Sequence, residues 1–396
     1  MTLALSLRSM RLMDFNTSLY FSKSEKLMEK SNKIYLAGHN GLVGSAIERN
    51  LVSKGYENIV HTPFPPYDLT DQRIVSDFFE KEKPEYVFLA AAKVGGIVAN
   101  TTYRAQFIYE NLMIQNNIIN QSYLHGVKKL LFLGSSCIYP ANCPQPIKEE
   151  YLLTGELEYT NEPYAIAKIA GIKMCESYNI QYGTNFVSVM PTNLYGPNDN
   201  YNLETSHVLP ALIRKMHLGK CLENNDWGAM REDLKKRPIE SVNENFSETE
   251  ILQILSKYGI QLVKSKRNPA PGNKHPVTIA LWGSGYPYRE FLYVDDMAAA
   301  CVFVMENVDF NDLKPDKGPV LNTHINIGTG RDLTIKQLAE CIKRIVGFEG
   351  QLSWDSSKPN GTFRKLLDVS KINRLGWKEK ISMEEGLKKV YGKYSG

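Results

Sequence analysis

Two hydroxyls and a thiol stand side by side in the stretch GSSCIYP, residues 134–140, where an apolar run gives way to a loop. A hydroxyl at the end of a strand can hydrogen-bond a substrate carbonyl and stabilise the charge that develops on its oxygen. A thiol acts as a base only as its thiolate, which requires a pKa close to neutrality. Because a single cysteine at a strand end is most often a small buried apolar residue, the sequence here predicts a role for Ser135 more directly than for Cys137.

Tyr164 and Lys168 in the stretch YAIAK have i and i+4 spacing, so they share one face of a predicted helix. A neighbouring ammonium is expected to lower the pKa of the phenol, which can then exchange a proton with a carbonyl while hydride moves to or from a nicotinamide. Ser135 would bind the same carbonyl oxygen. A Tyr and Lys pair alone is more often a solvated helix face, so this prediction depends on a cofactor loop upstream.

Such a loop is present in the stretch AGHNGLVGSAI, where Gly38, Gly41 and Gly44 lie between the first apolar run and the first helical pattern. Glycine lets the chain turn tightly and approach a pyrophosphate, whose charge is stabilised by the N–H groups and dipole at the helix N-terminus. Three glycines alone are a weak signal, but their place between a strand and a helix predicts a dinucleotide site.

The choice of nicotinamide cofactor depends on the end of the second predicted strand, in the stretch IVHTPFPPYDL. A site for NAD usually has an acidic residue here, and a site for NADP a basic one. This stretch offers His61 and no nearby Asp, Glu or Arg. The missing acid favours NADPH.

Strand-like and helix-like segments alternate after Ser31. The predicted strands are KIYLAG, ENIVHT, YVFLAAA, KLLFLGS and NFVSVMP, and the predicted helices span 42–54, 73–81, 103–124 and 164–182. This alternation predicts an α/β fold, a Rossmann-like doubly wound parallel sheet, followed by a smaller C-terminal α/β substrate domain.

The change in composition along the chain predicts a division into four segments. We expect residues 1–32 to be a disordered leader or the product of an upstream start codon, with Met28 as an alternative start. Residues 33–219 form the NADP-binding domain, and 277–396 mainly the substrate domain, some of whose segments return to the first. Residues 220–276 are mostly polar and predict a surface insertion, in which SETEILQILSKYGI is a helix capped by Ser247. The later stretch REFLYVDDMAAACVFVME predicts a turn that leads into a helix.

The composition of the chain argues against several classes of function. A formal net charge of +4 over 396 residues is too small and too dispersed for nucleic-acid binding. The six cysteines form no C-x-x-C pair, which predicts a reducing, cytoplasmic environment and no structural metal. No apolar run is long enough to span a bilayer, so no membrane association is expected.

The motifs together resemble the extended short-chain dehydrogenase/reductases, whose serine, Tyr-x-x-x-Lys and glycine loop are matched by Ser135, Tyr164, Lys168 and the three glycines. Within that group the chain is similar to the GDP-L-fucose synthase family, from residue 33 to about 220 and from 279 into the C-terminal region. The stretches that carry this resemblance are AAAKVGGIVAN, LGSSCIYP, NEPYAIAKIAGIKMCESYN, SVMPTNLYGPNDN, SHVLPALIRK, WGSG, REFLYVDDMAAA and SKPNGTFRKLLDV.

The resemblance implies NADPH-dependent 3,5-epimerisation and 4-reduction of GDP-4-keto-6-deoxy-D-mannose to GDP-L-fucose, in a homodimer that packs through the helices at 103–124 and 164–182. Inversion at C3 and C5 needs two proton-transfer groups on opposite faces of the sugar, which the resemblance assigns to Cys137 and His207. The catalytic set is then Ser135, Cys137, Tyr164, Lys168 and His207. The predicted cofactor-binding residues are Gly38, His39, Asn40, Gly41, Leu42, Val43, Gly44, Leu133, Gly134, Ser135, Ser136, Lys168, Pro191, Thr192, Asn193, Leu194 and His207.

On the substrate side the resemblance implies Lys215, Trp282, Arg289 and Asn360. A pyrophosphate favours guanidinium and ammonium partners. Lys215 stands where relatives often have Arg, and Asn360 where an acid is common. The insertion is also longer than the link usual in relatives.

Three other functions remain in competition at this point. A 4,6-dehydratase would need an acid pair after the strand-end hydroxyl, and SSCIYP has none. A paralogue that acts on another GDP-4-keto sugar, such as a GDP-heptose derivative, would retain one or two of the three steps. A sugar-nucleotide-binding protein without catalysis would not require Ser135, Tyr164 and Lys168 together.

Overall fold

The computed structural model describes residues 28–263, 274–358 and 360–396. The first half of the chain contains the elements β1 (Ile34–Ala37), α1 (Leu42–Ser53), β2 (Ile59–Val60), α2 (Gln72–Glu82), β3 (Tyr86–Leu89), α3 (Ile97–Thr102), α4 (Arg104–Leu124), β4 (Lys129–Leu133), α5 (Glu162–Tyr182) and β5 (Phe186–Pro191). The second half contains β6 (Asn193–Tyr195), α6 (Val208–Glu223), α7 (Trp227–Lys236), α8 (Glu248–Lys257), β7 (Ile260–Leu262), β8 (Val277–Trp282), β9 (Tyr288–Tyr293), α9 (Val294–Asn307), α10 (Phe310–Leu313), β10 (Ile325–Ile327), β11 (Asp332–Thr334), α11 (Ile335–Val346), β12 (Gln351–Asp355), β13 (Arg364–Lys365), α12 (Ser370–Arg374) and α13 (Met383–Ser395).

A six-stranded parallel sheet with the order β10-β5-β4-β3-β1-β2 forms the centre of the first domain. Its strands are apolar on both faces because helices cover both sides. The helices α1 and α9 pack on one face and α2, α4 and α5 on the other. The Rossmann-like fold is therefore confirmed, and ligands of such sheets bind outside the carboxyl ends of the strands, where the strand order reverses.

The C-terminal half adds two smaller sheets. In one, β9 is central and pairs with β6, β11 and β13; in the other, β8 lies between β7 and β12. The predicted turn in REFLYVDD is wrong, because residues 288–293 form β9 and only then lead into α9. Since β6 follows β5 almost directly, its pairing with β9 joins the two halves at the ligand edge of the large sheet.

Residues 220–276 lie closer to the core than their polar composition predicts. Within this segment α8 begins at the predicted cap, Ser247, which forms a capping box with Glu250. Met230 and Leu234 of α7, with Ile251 and Leu255 of α8, are fully buried in the C-terminal core. The segment therefore extends that core, because the inner faces of the amphipathic helices α7 and α8 are buried in it together with Ile239 and Val242 between them.

The predicted leader is too long at its C-terminal end. Met28 and Asn32 are buried, and Met28 packs in the apolar cluster beneath α1. Residues 1–27 lie outside the described part of the chain. Within the described residues, no helix is both long enough and apolar enough to cross a membrane.

A buried ion pair attaches α7 to α6. The Arg214 guanidinium donates to the Asp233 carboxylate at 3.0 Å, and both side chains are almost completely buried. Arg214 also donates to the carbonyl oxygens of Tyr201 and Arg237. Arg214 thereby ties the α7 part of the insertion to the helix that follows His207.

We predict that Arg214→Met lowers the free energy of unfolding by about 2–3 kcal/mol, because it removes the fully buried cation beside the Asp233 carboxylate. The remaining partners of Asp233 are the Tyr394 hydroxyl and the partly exposed Arg237, at 3.3 Å. Urea titration followed by circular dichroism measures this loss. The matched control is Arg331→Met, which removes an exposed pair with Glu379 at 2.7 Å and should cost at most about 1 kcal/mol. Equal losses in the two variants would contradict the structural role of the buried pair.

Candidate active site

The glycine loop joins β1 to α1 at the ligand edge of the sheet. Gly38 has a φ of 88°, and a Cβ there would lie 2.7 Å from the backbone nitrogen of Ala91. A Cβ on Gly44 would lie 2.0 Å from the Gly38 carbonyl oxygen. Both positions therefore need glycine for the packing of the loop itself.

Gly41 is glycine for a different reason. It is the N-terminal cap of α1, it is exposed, and the one described atom within 4 Å of a Cβ placed on it is the Gly38 oxygen, at 3.5 Å. The space beside Gly41 and the exposed Asn40 is thus open to a ligand, and the N–H groups of the first turn of α1 point into it. The loop fits a dinucleotide pyrophosphate, with Leu42 and Val43 packed into the apolar cluster behind it.

Two histidines lie next to this loop. The rings of His39 and His61 stack with centroids 4.4 Å apart, and His61 Nε2 is 3.2 Å from the Glu48 carboxylate. Desolvation lowers the pKa of His61, and the nearby His39 lowers it further, whereas Glu48 raises it. Glu48 is an acidic group that the stretch after β2 does not reveal, because α1 carries it there.

Ser135, Tyr164 and Lys168 meet at the carboxyl end of β4. Tyr164 hydrogen-bonds Ser135, and the Lys168 ammonium donates to the Leu133 carbonyl oxygen at 2.7 Å. Lys168 Nζ also lies 5.7 Å from the centroid of the Tyr164 ring. Two successive turns of α5 therefore place the phenol and the ammonium beside the strand-end hydroxyl, as the i and i+4 spacing predicts.

The protonation states in this cluster differ from the expectation. Burial raises the pKa of Tyr164 well above its usual value, and the Lys168 ammonium does not offset that effect. Burial also lowers the pKa of Lys168 to about 8. Tyr164 therefore remains protonated at neutral pH and can act as a proton donor to a carbonyl oxygen.

Cys137 lies in the single turn of 3₁₀ helix, Ser136–Ile138, that follows Ser135. Its backbone N–H donates to the Ser135 hydroxyl oxygen at 3.3 Å, and the residue is 7% exposed. Burial raises the pKa of the Cys137 thiol, while the nearby Lys365 and Lys168 ammonium groups lower it. The expected net fall of this pKa towards neutrality does not occur, because desolvation outweighs the two cations.

His207 is the N-terminal cap residue of α6 and is exposed to solvent. The two residues before it pack on the loop after β3, where the Gly96 N–H donates to the Thr205 carbonyl oxygen at 3.3 Å. This contact holds His207 at the same edge of the sheet as Cys137. Desolvation by the surrounding protein lowers the pKa of His207, so its imidazole is neutral at pH 7 even though part of it contacts solvent.

The remaining predicted cofactor residues line the same edge. Leu133, Gly134 and Ser136 follow β4, and Pro191 ends β5 next to Leu194 of β6. Thr192 and Asn193 donate from their side chains to the Glu290 carbonyl oxygen, at 3.2 and 2.8 Å. Those two side chains therefore join the domains, and a cofactor would meet them mainly through their backbone.

Three cations on the substrate side have no acidic partner. Among the described residues, Lys215, Arg289 and Lys365 form no ion pair, although each is half-buried. Burial lowers the pKa of Lys215 to about 8 and also lowers that of Arg289. Arg289 donates to the Tyr288 carbonyl oxygen at 2.7 Å. Desolvated cations without counter-charges fit an anionic ligand such as a pyrophosphate.

The other two predicted substrate residues are Trp282 and Asn360, and only the first has a side chain that is free to contact a ligand. Trp282 ends β8 with 60% of its surface exposed, so its indole is free to contact a ligand. The Asn360 side-chain oxygen instead accepts hydrogen bonds from the Ser284 N–H at 2.8 Å and the Ser284 hydroxyl at 3.0 Å. Asn360 therefore anchors the loop after Trp282.

Sequence patterns did not reveal two charged residues near the site, Glu290 and Lys365. Glu290 is fully buried, and its carboxylate accepts from the N–H groups of Thr329, Gly330 and Leu367. Lys365 interacts electrostatically with Cys137. The stretches REFLYVDD and FRKLLDV contain both residues, but a charged residue in a motif does not reveal which distant segment it faces.

This arrangement is that of a nicotinamide-dependent oxidoreductase of the short-chain dehydrogenase/reductase class. The model of the NAD dependent epimerase/dehydratase family matches residues 34–235 and 257–328. The chain belongs to that family.

Two GDP-L-fucose synthases and one heptose synthase of known structure are similar to this chain over more than nine-tenths of its length. GDP-L-fucose synthase 1 of Arabidopsis thaliana is 48% identical over 94% of this chain and 96% of its own length. GDP-L-fucose synthase of Escherichia coli is 47% identical over 91% of this chain and 95% of its own. The crystal structure of a GDP-D-glycero-L-gluco-heptose synthase from Campylobacter jejuni, determined in the presence of NADPH, is 44% identical, with a TM-score of 0.83 and coverage of 93% and 100%.

The second and third glycines of the loop, Gly41 and Gly44, provide a matched test. We predict that Gly44→Ala lowers the free energy of unfolding by about 1–3 kcal/mol, because its Cβ overlaps the Gly38 carbonyl. Gly41→Ala should change stability by less than about 1 kcal/mol but weaken NADPH binding by about tenfold, because its Cβ enters the space for the pyrophosphate. Fluorescence titration with NADPH and urea unfolding measure the two effects. Wild-type NADPH affinity in Gly41→Ala would contradict this assignment.

Proposed function

We propose that the protein converts GDP-4-keto-6-deoxy-D-mannose to GDP-L-fucose by 3,5-epimerisation and NADPH-dependent 4-reduction. The observation that carries the proposal is the joint placement of Ser135, Tyr164, Lys168 and Cys137 at the end of β4. The GDP-L-fucose synthases of Arabidopsis thaliana and Escherichia coli, similar over nearly their whole length, support the choice of substrate.

The cofactor in this proposal is NADPH, which supplies the hydride for C4 when bound. The open space beside Gly41 fits its pyrophosphate, and the absence of an acid directly after β2 favours the 2′-phosphate. The similar Campylobacter jejuni structure was determined in the presence of NADPH, which supports the same choice. Lys168, whose ammonium reaches the end of β4, is placed to hold the nicotinamide side of the cofactor.

Epimerisation begins with the acidic C–H bonds on either side of the 4-ketone. Removal of a proton from C3 or C5 leaves an enolate whose oxygen Ser135 and Tyr164 stabilise by hydrogen bonds. Return of a proton on the opposite face inverts the centre, so one group must accept a proton and the other must supply one. Burial raises the pKa of the Cys137 thiol and lowers that of the His207 imidazole, so at neutral pH the thiol is suited to supply a proton and the imidazole to accept one.

Reduction uses the same carbonyl after both inversions. As hydride reaches C4, the oxygen gains negative charge and takes a proton from the Tyr164 hydroxyl. Burial keeps that hydroxyl protonated at neutral pH. The Ser135 hydroxyl remains bonded to the oxygen, and Lys168 stabilises the phenolate that Tyr164 becomes.

The GDP portion is held by charge. Lys215 and Arg289 approach from α6 and β9 and bring two partly desolvated cations to the pyrophosphate. Trp282 offers an exposed aromatic surface at the end of β8. Asn360 contributes by fixing the loop that follows Trp282.

Reduction of a GDP-heptose derivative is the second candidate function. The solved Campylobacter jejuni protein of 44% identity carries a heptose-synthase title, and its fold matches over 93% of this chain. Such an enzyme would use Ser135, Tyr164 and Lys168 for reduction. Product analysis by NMR from a panel of GDP-keto sugars separates the two, because only the first candidate yields a product inverted at C3 and C5.

We predict that Tyr164→Phe lowers the rate of NADPH oxidation by about 10²–10⁴-fold, because the alkoxide loses its proton donor. Deuterium exchange from solvent at C3 and C5 should persist at a reduced rate, because Ser135 still binds the enolate oxygen. Absorbance at 340 nm and NMR in D₂O measure these two results. Tyr159→Phe, at an exposed tyrosine, is the control and should behave as wild type. Wild-type NADPH oxidation in Tyr164→Phe would refute the role of the phenol.

We predict that Cys137→Ser impairs proton exchange at C3 and C5 more than it impairs reduction, which is the reverse of Tyr164→Phe. A serine hydroxyl cannot supply a comparable anion near neutral pH, so deuterium exchange at C3 and C5 should fall by at least about 10²-fold. Thermal unfolding verifies that the variant is folded, and Cys341→Ser is a control at a half-buried cysteine on α11. Exchange at the wild-type rate would show that the thiol does not transfer protons.

The proposed assembly is a homodimer that packs through α4 and α5. Both helices expose apolar side chains, which are Tyr109 and Leu124 on α4 and Ile166, Ile180 and Tyr182 on α5. Light scattering should therefore give twice the chain mass of 44.9 kDa. Ile166→Asp together with Ile180→Asp should shift the protein towards the monomer, and a monomeric wild type would contradict the proposal.

We also propose a cytoplasmic location. The support is chemical: all six cysteines are free in the structure, and a catalytic thiol at position 137 requires reducing conditions.

A further inference from the structure

Lys365 lies on a short strand that directs it towards the reaction centre. β13 pairs in parallel with β9, so that Lys365 is the register partner of Arg289. Successive side chains of a strand point to opposite faces. The Arg364 side chain forms an ion pair with Asp332 at 2.6 Å on one side, and Lys365 therefore points to the other. Lys365 interacts electrostatically with Cys137.

The backbone after Lys365 is fixed to the loop that follows Cys137. The Leu366 N–H donates to the Gln145 side-chain oxygen at 2.8 Å, and the Leu366 carbonyl accepts from the Ile147 N–H at 2.7 Å. The Leu367 N–H donates to the buried Glu290 carboxylate at 3.0 Å. These bonds hold the segment from two sides, so the position of the ammonium relative to the thiol is set by the fold.

Lys365 has no bonded carboxylate partner among the described residues, so its positive charge is available to the Cys137 thiolate. Its electrostatic neighbours are Cys137, Arg289, Cys143 and Glu158, and the carboxylate of Glu158 is not close enough for an ion pair. Glu158 instead accepts hydrogen bonds from Thr160 and Asn161. From α5, Lys168 also faces Cys137, but its ammonium is bonded to the Leu133 carbonyl. Lys365 is thus the cation near the thiol without a bonded partner among the described residues.

We propose that Lys365 is a positioning residue that stabilises the thiolate of Cys137 by direct charge interaction during proton transfer. Burial disfavours the thiolate, and the Lys365 ammonium on β13 offsets part of that cost. The proposal adds a residue to the epimerisation machinery and rests on the proposed function for its catalytic meaning. The charge interaction itself is independent of the substrate.

The first experiment measures the pH dependence of Cys137 alkylation by iodoacetamide without substrate, with quantification of the Cys137 peptide by mass spectrometry. Lys365→Met should raise the midpoint by about one pH unit and slow alkylation near neutral pH by about tenfold. Lys365→Arg keeps the charge and should retain the wild-type midpoint. Arg364→Met is the matched control, because it removes the neighbouring cation that faces Asp332, and it should not move the midpoint.

Misfolding cannot imitate this result, since unfolding exposes the thiol and accelerates alkylation. An unchanged midpoint in Lys365→Met overturns the proposal. An equal shift in Arg364→Met also overturns it, because the effect would then be a general one of surface charge.

The second experiment follows deuterium exchange at C3 and C5 of GDP-4-keto-6-deoxy-D-mannose. Lys365→Met should lower the exchange rate at saturating substrate, and Lys365→Arg should restore most of it. A rise in KM with an unchanged maximal rate would overturn the proposal in favour of substrate binding. If wild type shows no exchange while the alkylation midpoints shift as expected, the proposed function fails but the charge interaction stands.

Discussion

Desolvation controls the charge of the whole site. It is the largest cause of every resolved pKa shift among the catalytic and substrate-binding residues, where it favours the neutral forms of the tyrosine, the lysines, the histidine and the cysteine. The site therefore contains neutral acids and bases next to cations whose pKa values are lowered. The phosphates of cofactor and substrate bring the negative charge that such an environment lacks, and a keto sugar brings the oxygen on which charge develops. The site becomes electrostatically complete only with its ligands.

Glu290 is the buried acid around which the two halves of the site are arranged. Its carboxylate accepts backbone hydrogen bonds from the turn after β10 and from the segment after Lys365, and its own carbonyl accepts from Thr192 and Asn193. A Cβ on Gly328 would lie 2.3 Å from this carboxylate, which explains glycine at that position. Because Glu290 follows Arg289 and faces the Lys365 segment, a single buried side chain sets the relative positions of the cofactor edge and the substrate strands.

Sequence patterns predicted the first domain well because its signals are local. Strand and helix periods placed α1, α2, α4 and α5 within two residues of their observed ends, and the i and i+4 spacing placed Tyr164 beside Lys168. The second domain depends on pairings between distant segments, such as β6 with β9, which no local period encodes. For the same reason no local pattern distinguishes β9 from a turn, shows that the insertion joins the core, or reveals that Lys365 belongs to the site. The charge states were also misjudged, because burial cannot be read from residue types alone.

The two faces of helix α5 have different roles. Tyr164 and Lys168 point into the reaction centre, while Ile166 and Ile180 are exposed on the outside of the same helix. An α-helix with its side chains is about 10–12 Å across, so any molecule seated on the outer face lies one helix width from the proton donor. The outer face is the one that the proposed homodimer covers. A second chain seated there would couple subunit packing to catalysis, because a slight rotation of this rigid element would move the phenol away from its carbonyl.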